Sequence, residues 1–314
     1  DKELQLETLI HDGRPFNINS LQQLKDRLSA AGDTVTKTLR HTDLEAMTSV
    51  LAKNVLKYRK VHKMRSTYVE PLTNKLDDRD FIHCDYKQHG TATGRISCQN
   101  PNLQNVPRGD TTEGIGSVSI RSLFINPEPP DTELYIVDYK QIEMRFFAHY
   151  AKDERIINAI RSGEDLHTDT AASLFDTPYS EVTKKERSFA KTINFGIIYG
   201  MREAKLADTL GIDVDEATEL LYRYYEKYPA IQRLQESCTK YVRNKKFIKN
   251  YYGRRRVMPP QKFHAALNTL VQSTAADFFK LRMIKLWKFL KDYKSHIVLN
   301  VHDEIVIVHY KEEG

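Results

Sequence analysis

Cysteine is scarce: Cys84, Cys98 and Cys238 are the three in 314 residues. Their odd number and wide spacing exclude a CxxC metal knuckle or redox motif and a disulfide scaffold, and read as reduced thiols of an intracellular protein. Long apolar runs are missing as well, none approaching the ~20 residues of a membrane helix, and the charged start Asp1, Lys2, Glu3 resembles no signal peptide. A soluble, intracellular chain without membrane partners is expected, cytoplasmic most naturally, with an organelle left open. Internal repeats and low-complexity linkers are absent too. What the chain has is charge. Its 48 Lys and Arg against 42 Asp and Glu give a net charge of +6 and a pI near 9.0, which favours a polyanionic partner. With 29% charged and 40% hydrophobic residues, general disorder is excluded, and the length supports two or three lobes.

The first 70 residues read as helices. Ser20 with Gln23, and Thr42 with Glu45, have the spacing of capping boxes, so a helix is expected to begin at each. After the second, Leu44, Met47, Leu51, Val55 and Tyr58 recur at three and four residues, while Lys53, Lys57, Lys60 and Lys63 decorate other faces, predicting one long amphipathic helix that Pro71 ends. Its basic side fits a solvated surface as well as a binding one. From Leu72 to Pro130 the pattern breaks into short loops and hairpins. Leu134 to Val137 predicts a strand ending in Asp138, Gln141 to Ala151 a helix, residues 155 to 240 a mostly helical stretch, and Ile297 to Val308 two strands joined across His302 and Asp303. The chain is thus a sheet-bearing lobe interrupted by a helical insertion.

Three constellations carry chemistry. In TKKERSFAKTINFGIIYG (183–200), Thr183 and Glu186 form a third capping box and Gly200 is placed to stop the helix. Arg187, Lys191, Phe195 and Tyr199 follow at four-residue steps on one slowly winding face, while Phe189, Ile193 and Ile197 can pack inward. Two cations followed by two aromatics suit a ligand with phosphates and a flat base, although such a stripe alone is more often solvated. Asp138 in IVDYKQIE and Asp303 with Glu304 in the turn of NVHDEIVI offer strand-end carboxylates suited to hard cations, although in isolation turn chemistry explains them better. RNKKFIKNYYGRRR (243–256) interleaves seven cations with Phe247, Tyr251 and Tyr252, a pattern for phosphate neutralisation and stacking. The cluster Tyr222, Tyr224, Tyr225, Tyr228 before Pro229 is better explained by packing.

Taken in order, GTATGRISCQNPNLQNVPRG (90–109), DYKQIEMRFFAH from 138, RSFAKTINFGIIYG from 187 and VHDE from 301 resemble the motifs of family-A DNA polymerases. HAALNTLVQS (264–273) and its short link to Arg256 resemble phage-type members more than cellular ones, which tilts the expected source toward a virus or phage. The resemblance implies an α+β right-hand fold: a partial helical thumb (1–72), a palm with an antiparallel sheet (73–154 and 254–314) and an inserted helical fingers region (155–253), with the C-terminus of the palm incomplete. It implies primer-template DNA and dNTPs as partners and two Mg²⁺ ions held by Asp138, Asp303 and the Tyr139 carbonyl, with Glu304 beside the primer end. Arg187 and Lys191 would clamp the triphosphate, Lys191 counting with the acids as catalytic. His167 of GEDLHT would help, Phe195 would stack under the base, and Tyr199 would sit near the templating position. Gln141 and Glu143 would complete the dNTP site, Glu143 blocking the sugar 2′ position. Arg95, Gln104, Asn105, Arg254, Asn268, Gln272 and His302 would contact DNA.

Lys140 stands where the family's first motif usually has serine, and Ser273 where many cellular members have glycine. Two rival readings are a single-subunit RNA polymerase on the same palm, which Glu143 and Phe195 oppose, and a non-catalytic nucleic-acid-binding fragment, which the basic segment allows.

Overall fold

The computed structural model describes residues 10–11, 14–107, 119–127 and 130–314; the residues of the signal-peptide reading and part of the 72–130 loop region lie outside them. The chain divides into two compact units, Asp1–Asp85 with Cys98–Pro127, and Tyr86–Ser97 with Glu128–Gly314.

The first unit opens on two short paired strands, β1 (Ile10–His11) and β2 (Arg14–Pro15), and continues into helix α1 (Leu21–Ala30). Ser20 caps α1, its hydroxyl accepting from Gln23 N, but the expected box stays open: Gln23 Oε1 accepts from Asn17 N–H, and Ser20 N–H donates to Asn17 O. The second expected cap is different. Helix α2 (His41–Glu45) is barely more than a turn, begun by Arg40, whose N–H donates to Asp43 Oδ2 at 2.6 Å. The long helix α3 (Val50–Met64) starts afresh at Ser49, whose Oγ accepts from Ala52 N at 3.0 Å. Asp33 Oδ1 accepts from Thr48 and Ser49 N–H, so the break between the helices is satisfied by a side chain far away in sequence. The expected end also moves. The backbone widens into a π-helical turn over Arg65–Val69 and continues as α4 (Glu70–Thr73), with Pro71 inside that last piece. A wider turn tolerates the donor that proline lacks. Leu24, Leu28, Leu39, Leu44, Met47, Ala52 and Val55 close this unit's core.

The second unit carries the ends of strands β3 (Asp85–Lys87) and β4 (Ser97–Gln99), then β5 (Thr132–Asp138). Seven helices follow: α5 (Ile142–Ala151), α6 (Glu154–Ser162), α7 (Leu166–Leu174), α8 (Lys184–Ile198), α9 (Glu203–Leu210), α10 (Val214–Lys227) and α11 (Pro229–Lys245). A hairpin of β6 (Phe247–Lys249) and β7 (Arg255–Val257) leads to the 24-residue helix α12 (Ala266–Phe289), followed by β8 (His296–Val301) and β9 (Glu304–Tyr310). β9 runs antiparallel between β5 and β8, so two segments at opposite ends of the unit share one sheet. That is the expected sheet interrupted by helices. Residues 305–308 of β9 are buried in succession, and Ile305 and Ile307 meet Phe279 of α12. The helical core gathers Met144, Phe147, Ile193, Ile197, Tyr224 and Tyr228. Tyr224 and Tyr228 are fully buried, as the packing reading requires, whereas Tyr222 is exposed.

Candidate active site

Asp138 ends β5 and lies opposite Glu304, the first residue of β9. Asp303 occupies the turn just before, and its carbonyl accepts from Tyr139 N at 3.4 Å. Glu304, expected in that turn, belongs instead to the strand and is buried. The turn itself holds His302 at φ 57, a left-handed conformation that a non-glycine residue adopts only under local constraint. Asn300 supplies it, its buried carboxamide donating to His302 O and Glu304 O at 3.2 Å each, while Tyr86 Oη bonds both the N–H and the carbonyl of Asn300. Burial raises the Asp303 carboxyl above its ordinary value of 3.8; its own backbone N–H and Arg95 pull it down, and the Asp138 charge adds to the rise. A carboxylate made costly by burial and by a second carboxylate gains by meeting a cation.

α8 behaves as its sequence predicts. Thr183 N–H donates to Glu186 Oε2 at 2.8 Å and Glu186 N–H to Thr183 Oγ1 at 3.2 Å, closing the capping box, and the helix stops before Gly200. Gly200 has φ 74, and a Cβ there would stand 2.5 Å from His264 O, so only glycine fits. Ile193 and Ile197 are buried, Phe189 is half-buried, and Arg187, Lys191 and Tyr199 are exposed beside half-buried Phe195. The rings of Phe195 and Tyr199 stack at 6.4 Å and 17°. Arg187 pairs through Nε with Asp165 Oδ2. Burial would raise the Asp165 carboxyl, but hydrogen bonds from Arg187, Thr168 and His167 N hold it below 3.8. Asp165 also caps α7, bringing His167 to the same flank, where its ring meets Phe195 at 5.6 Å.

Glu143, in the first turn of α5, joins these regions. It is buried between Arg95 Nη2, which contacts Oε1, and Tyr199 Oη, which donates to Oε2 at 3.0 Å. Burial and Glu143 push the Tyr199 phenol up to about 12, and Gln272 is a further partner of that hydroxyl. Gln141 caps α5 at φ 52, where the chain turns sharply out of β5. A cavity beside Asp303 is lined by Arg95, Ile142, Ala276, Phe279, Lys280 and His302. Asn268 Oδ1 is a buried atom without a hydrogen-bond partner on α12. Gln104 and Asn105 lie in the first unit, Gln104 buried in a 3₁₀ turn and Asn105 exposed. Lys140 is exposed; its carbonyl accepts from Arg145 Nε.

In the basic segment Arg243, Lys245, Lys249, Tyr251 and Tyr252 are exposed, while its last three arginines have partners within the chain. Arg254 grips Asp277 with Nε and Nη2 at 2.7–3.1 Å, Arg256 Nη1 donates to Thr269 Oγ1 at 2.7 Å, and Arg255 lies over the Phe247 ring. Asn250 completes the clamp, donating to Asp277 and accepting from Arg254 N–H. The turn at Gly94 (φ 83) approaches so closely that a Cβ would stand 2.9 Å from the Arg254 guanidinium. Sequence reasoning missed Asp165, Asp277 and Asn300, each of which fixes a residue it did name. For Asp165 a signal existed, since an acidic residue directly before a helix is a capping signature.

Among the described residues no three His, Cys, Asp or Glu side chains converge as a metal cage. What is present is two carboxylates at neighbouring strand ends with the Tyr139 backbone beside them, an all-oxygen set that fits a hard divalent cation sharing its remaining positions with a ligand. No helix of the described residues is long and apolar enough to cross a membrane.

The model of the family described as DNA polymerase family A matches residues 2–313. The thermostable DNA polymerase I of Thermus aquaticus is 36% identical over 99% of this chain and 39% of its own length, and DNA polymerase I of Lactococcus lactis 38% identical over 94% and 36%. The chain therefore spans less than two fifths of either relative. The POL domain of Pol1 from M. smegmatis, solved in complex with DNA primer-template and dNTP, superposes with a TM-score of 0.84 at 30% identity, covering 96% of this chain and 56% of that one. All three are bacterial, so the expectation of a phage-type source finds no support. The fold is the mixed helix-and-sheet architecture expected, and the chain belongs to DNA polymerase family A.

Proposed function

We propose that the chain is the polymerase core of a template-directed DNA polymerase, which joins a deoxynucleoside triphosphate to a primer 3′-hydroxyl and releases pyrophosphate. The observation that carries this reading is the meeting of Asp138 and Asp303, distant in sequence, at the ends of paired strands in a chain of this family. In the proposal 1–72 belong to the thumb, 73–154 and 254–314 to the palm and 155–253 to the fingers, and the protein works in the cytoplasm with its three cysteines reduced. Asp138, Asp303 and the Tyr139 carbonyl would hold divalent cations, two Mg²⁺ in the full site. Such ions, when bound, lower the pKa of the primer hydroxyl and offset charge on the triphosphate and the leaving pyrophosphate.

The chain's own residues do the rest by binding and orientation. Arg187 and Lys191, one helical turn apart, receive the triphosphate, and His167 donates to it from the neighbouring helix. Asp165 holds the Arg187 guanidinium in position, an arrangement in which a charged donor keeps one face for its anchor and another for its ligand. Phe195 supplies a flat face for the base, and Tyr199 stacks alongside near the templating position. Glu143 stands where a ribose 2′-hydroxyl would lie, and Arg95 and Tyr199 keep it rigid, which favours deoxyribose. Glu304 and Gln141 support the acids and the nucleotide. Arg95, Asn268, Gln272 and His302 contact DNA in this reading, and in the first unit Gln104 and Asn105 do so as well. Arg254 is a further DNA contact in this reading, and it also lies against the Gly94 turn that precedes Arg95.

Primer extension on a DNA template, with dNTPs or rNTPs and with or without chelator, tests the reading. Templated, metal-dependent extension with dNTPs is expected. Preference for rNTPs would favour the RNA polymerase alternative, and salt-sensitive binding without turnover would favour a binding fragment.

A further inference from the structure

Asn194 is a carboxamide in the helical core. It is 1% exposed and stands next to Ile193 and close to Ile197 and Ile198, where an apolar residue would serve packing equally well. It follows Arg187 by seven residues and Lys191 by three, so it lies on the flank of α8 that α7 covers. Its Nδ2 is 3.1 Å from His167 Nδ1 and 3.1 Å from Thr170 Oγ1. Thr170 Oγ1 has a single proton and two acceptors for it away from Asn194, Leu166 O at 2.7 Å and Tyr228 Oη at 3.1 Å, so toward Asn194 it accepts. The amide nitrogen, not the amide oxygen, therefore faces both partners. An amide nitrogen has protons and no acceptor capacity, so His167 Nδ1 must be the lone-pair nitrogen and the ring proton sits on Nε2.

The consequence concerns a neutral ring. Burial holds His167 below its ordinary value of 6.5; Asp165 opposes this, and the Arg187 and Lys191 charges reinforce it. A neutral imidazole presents either a donor or a lone pair, and only the donor suits a phosphate oxygen. Arg187 and Lys191 already draw anions to this flank without fixing their orientation. A ring held in one tautomer adds direction.

We propose that Asn194 is a positioning residue for the incoming nucleotide: by donating to Nδ1 it holds His167 as the Nε2–H tautomer, which then donates to an oxygen of the triphosphate. This rests on the dNTP-binding reading of His167 above. The first test needs neither nucleotide nor turnover. In protein with ¹⁵N-labelled histidine, the His167 ring, identified by its loss in His167→Ala, is expected to show a protonated Nε2 and a bare Nδ1 at neutral pH. A proton on Nδ1 overturns the role of Asn194 and leaves the nucleotide site standing. The second test is kinetic. Asn194→Leu, similar in shape and without the donor, should show both tautomers and raise the dNTP KM about tenfold, the worth of one hydrogen bond to a charged group, with a smaller change in kcat. In a His167→Ala background the same substitution should change KM less than twofold. Undiminished effects there overturn the proposal. An Nε2-protonated ring in a protein whose dNTP KM ignores His167→Ala overturns its nucleotide half and the assignment of His167 together.

Discussion

The acidic corner and the α8 face handle charge in opposite ways. At the corner, burial raises the Asp303 carboxyl and the Asp138 charge adds to the rise. On α8 the leading cation, Arg187, is already matched by Asp165, which is held low by that contact. Glu143 shows what the corner would look like with the same treatment, since it is buried yet held between Arg95 and Tyr199. The lesson is that this fold satisfies a buried carboxylate with donors of its own where the side chain must be held rigid, as at Glu143. The acids at the strand ends are placed where a cation improves them, and the arginine is anchored so that it can reach an anion without reorganising.

That contrast can be broken from either side. Asp303→Asn or Asp138→Asn should lower single-turnover incorporation by three orders of magnitude or more, about the scale on which losing electrostatic stabilisation acts, with duplex affinity nearly unchanged. Retained incorporation would remove the carboxylates from the chemistry. Arg187→Ala should cost about 10- to 100-fold in kcat/KM for dNTP, corresponding to about 1.5–3 kcal/mol for hydrogen bonds to a charged group. Unchanged kinetics would return the α8 stripe to an ordinary solvated face. Glu143→Ala should raise the rNTP to dNTP ratio of kcat/KM at least several-fold, and an unaltered ratio would mean that sugar choice lies elsewhere. Asp277→Asn, away from the chemistry, should cost about 1–3 kcal/mol of stability by weakening the Arg254 clamp. Burial raises the Asp277 carboxyl and the bonds from Arg254 and Asn250 more than offset it, so it lies below 3.8 when folded. The stabilisation is therefore full above that value and fades as pH falls through the lowered one. Urea midpoints across that acid range should slope less steeply in the variant than in the parent.

Much of this was legible in the sequence because the signals were local. The Thr183 and Glu186 box, the stop at Gly200 and the four-residue steps from Arg187 to Tyr199 are properties of one helix, and they appear as read. The strand ending at Asp138 was legible for the same reason. Long-range partners were not. Nothing near Asp138 announces that β9 will lie beside it, so the pairing entered through the family resemblance. Helix α3 begins at Ser49 and not at Thr42 because Asp33, from a distant loop, satisfies the N–H groups of Thr48 and Ser49. The partners of Arg254 and Arg256 in the basic run 243–256 were not legible either, because Asp277 and Thr269 lie on a later helix.

The measurement that bears most directly on the account is rapid-quench incorporation of one dNTP into a primer, with the complementary base and each mismatched base in the template, in Mg²⁺ and in chelator. The account predicts incorporation opposite the complementary base only, lost in chelator and in Asp303→Asn. Incorporation that ignores the template base or survives Asp303→Asn would contradict it, as would tight primer-template binding with no incorporation at all.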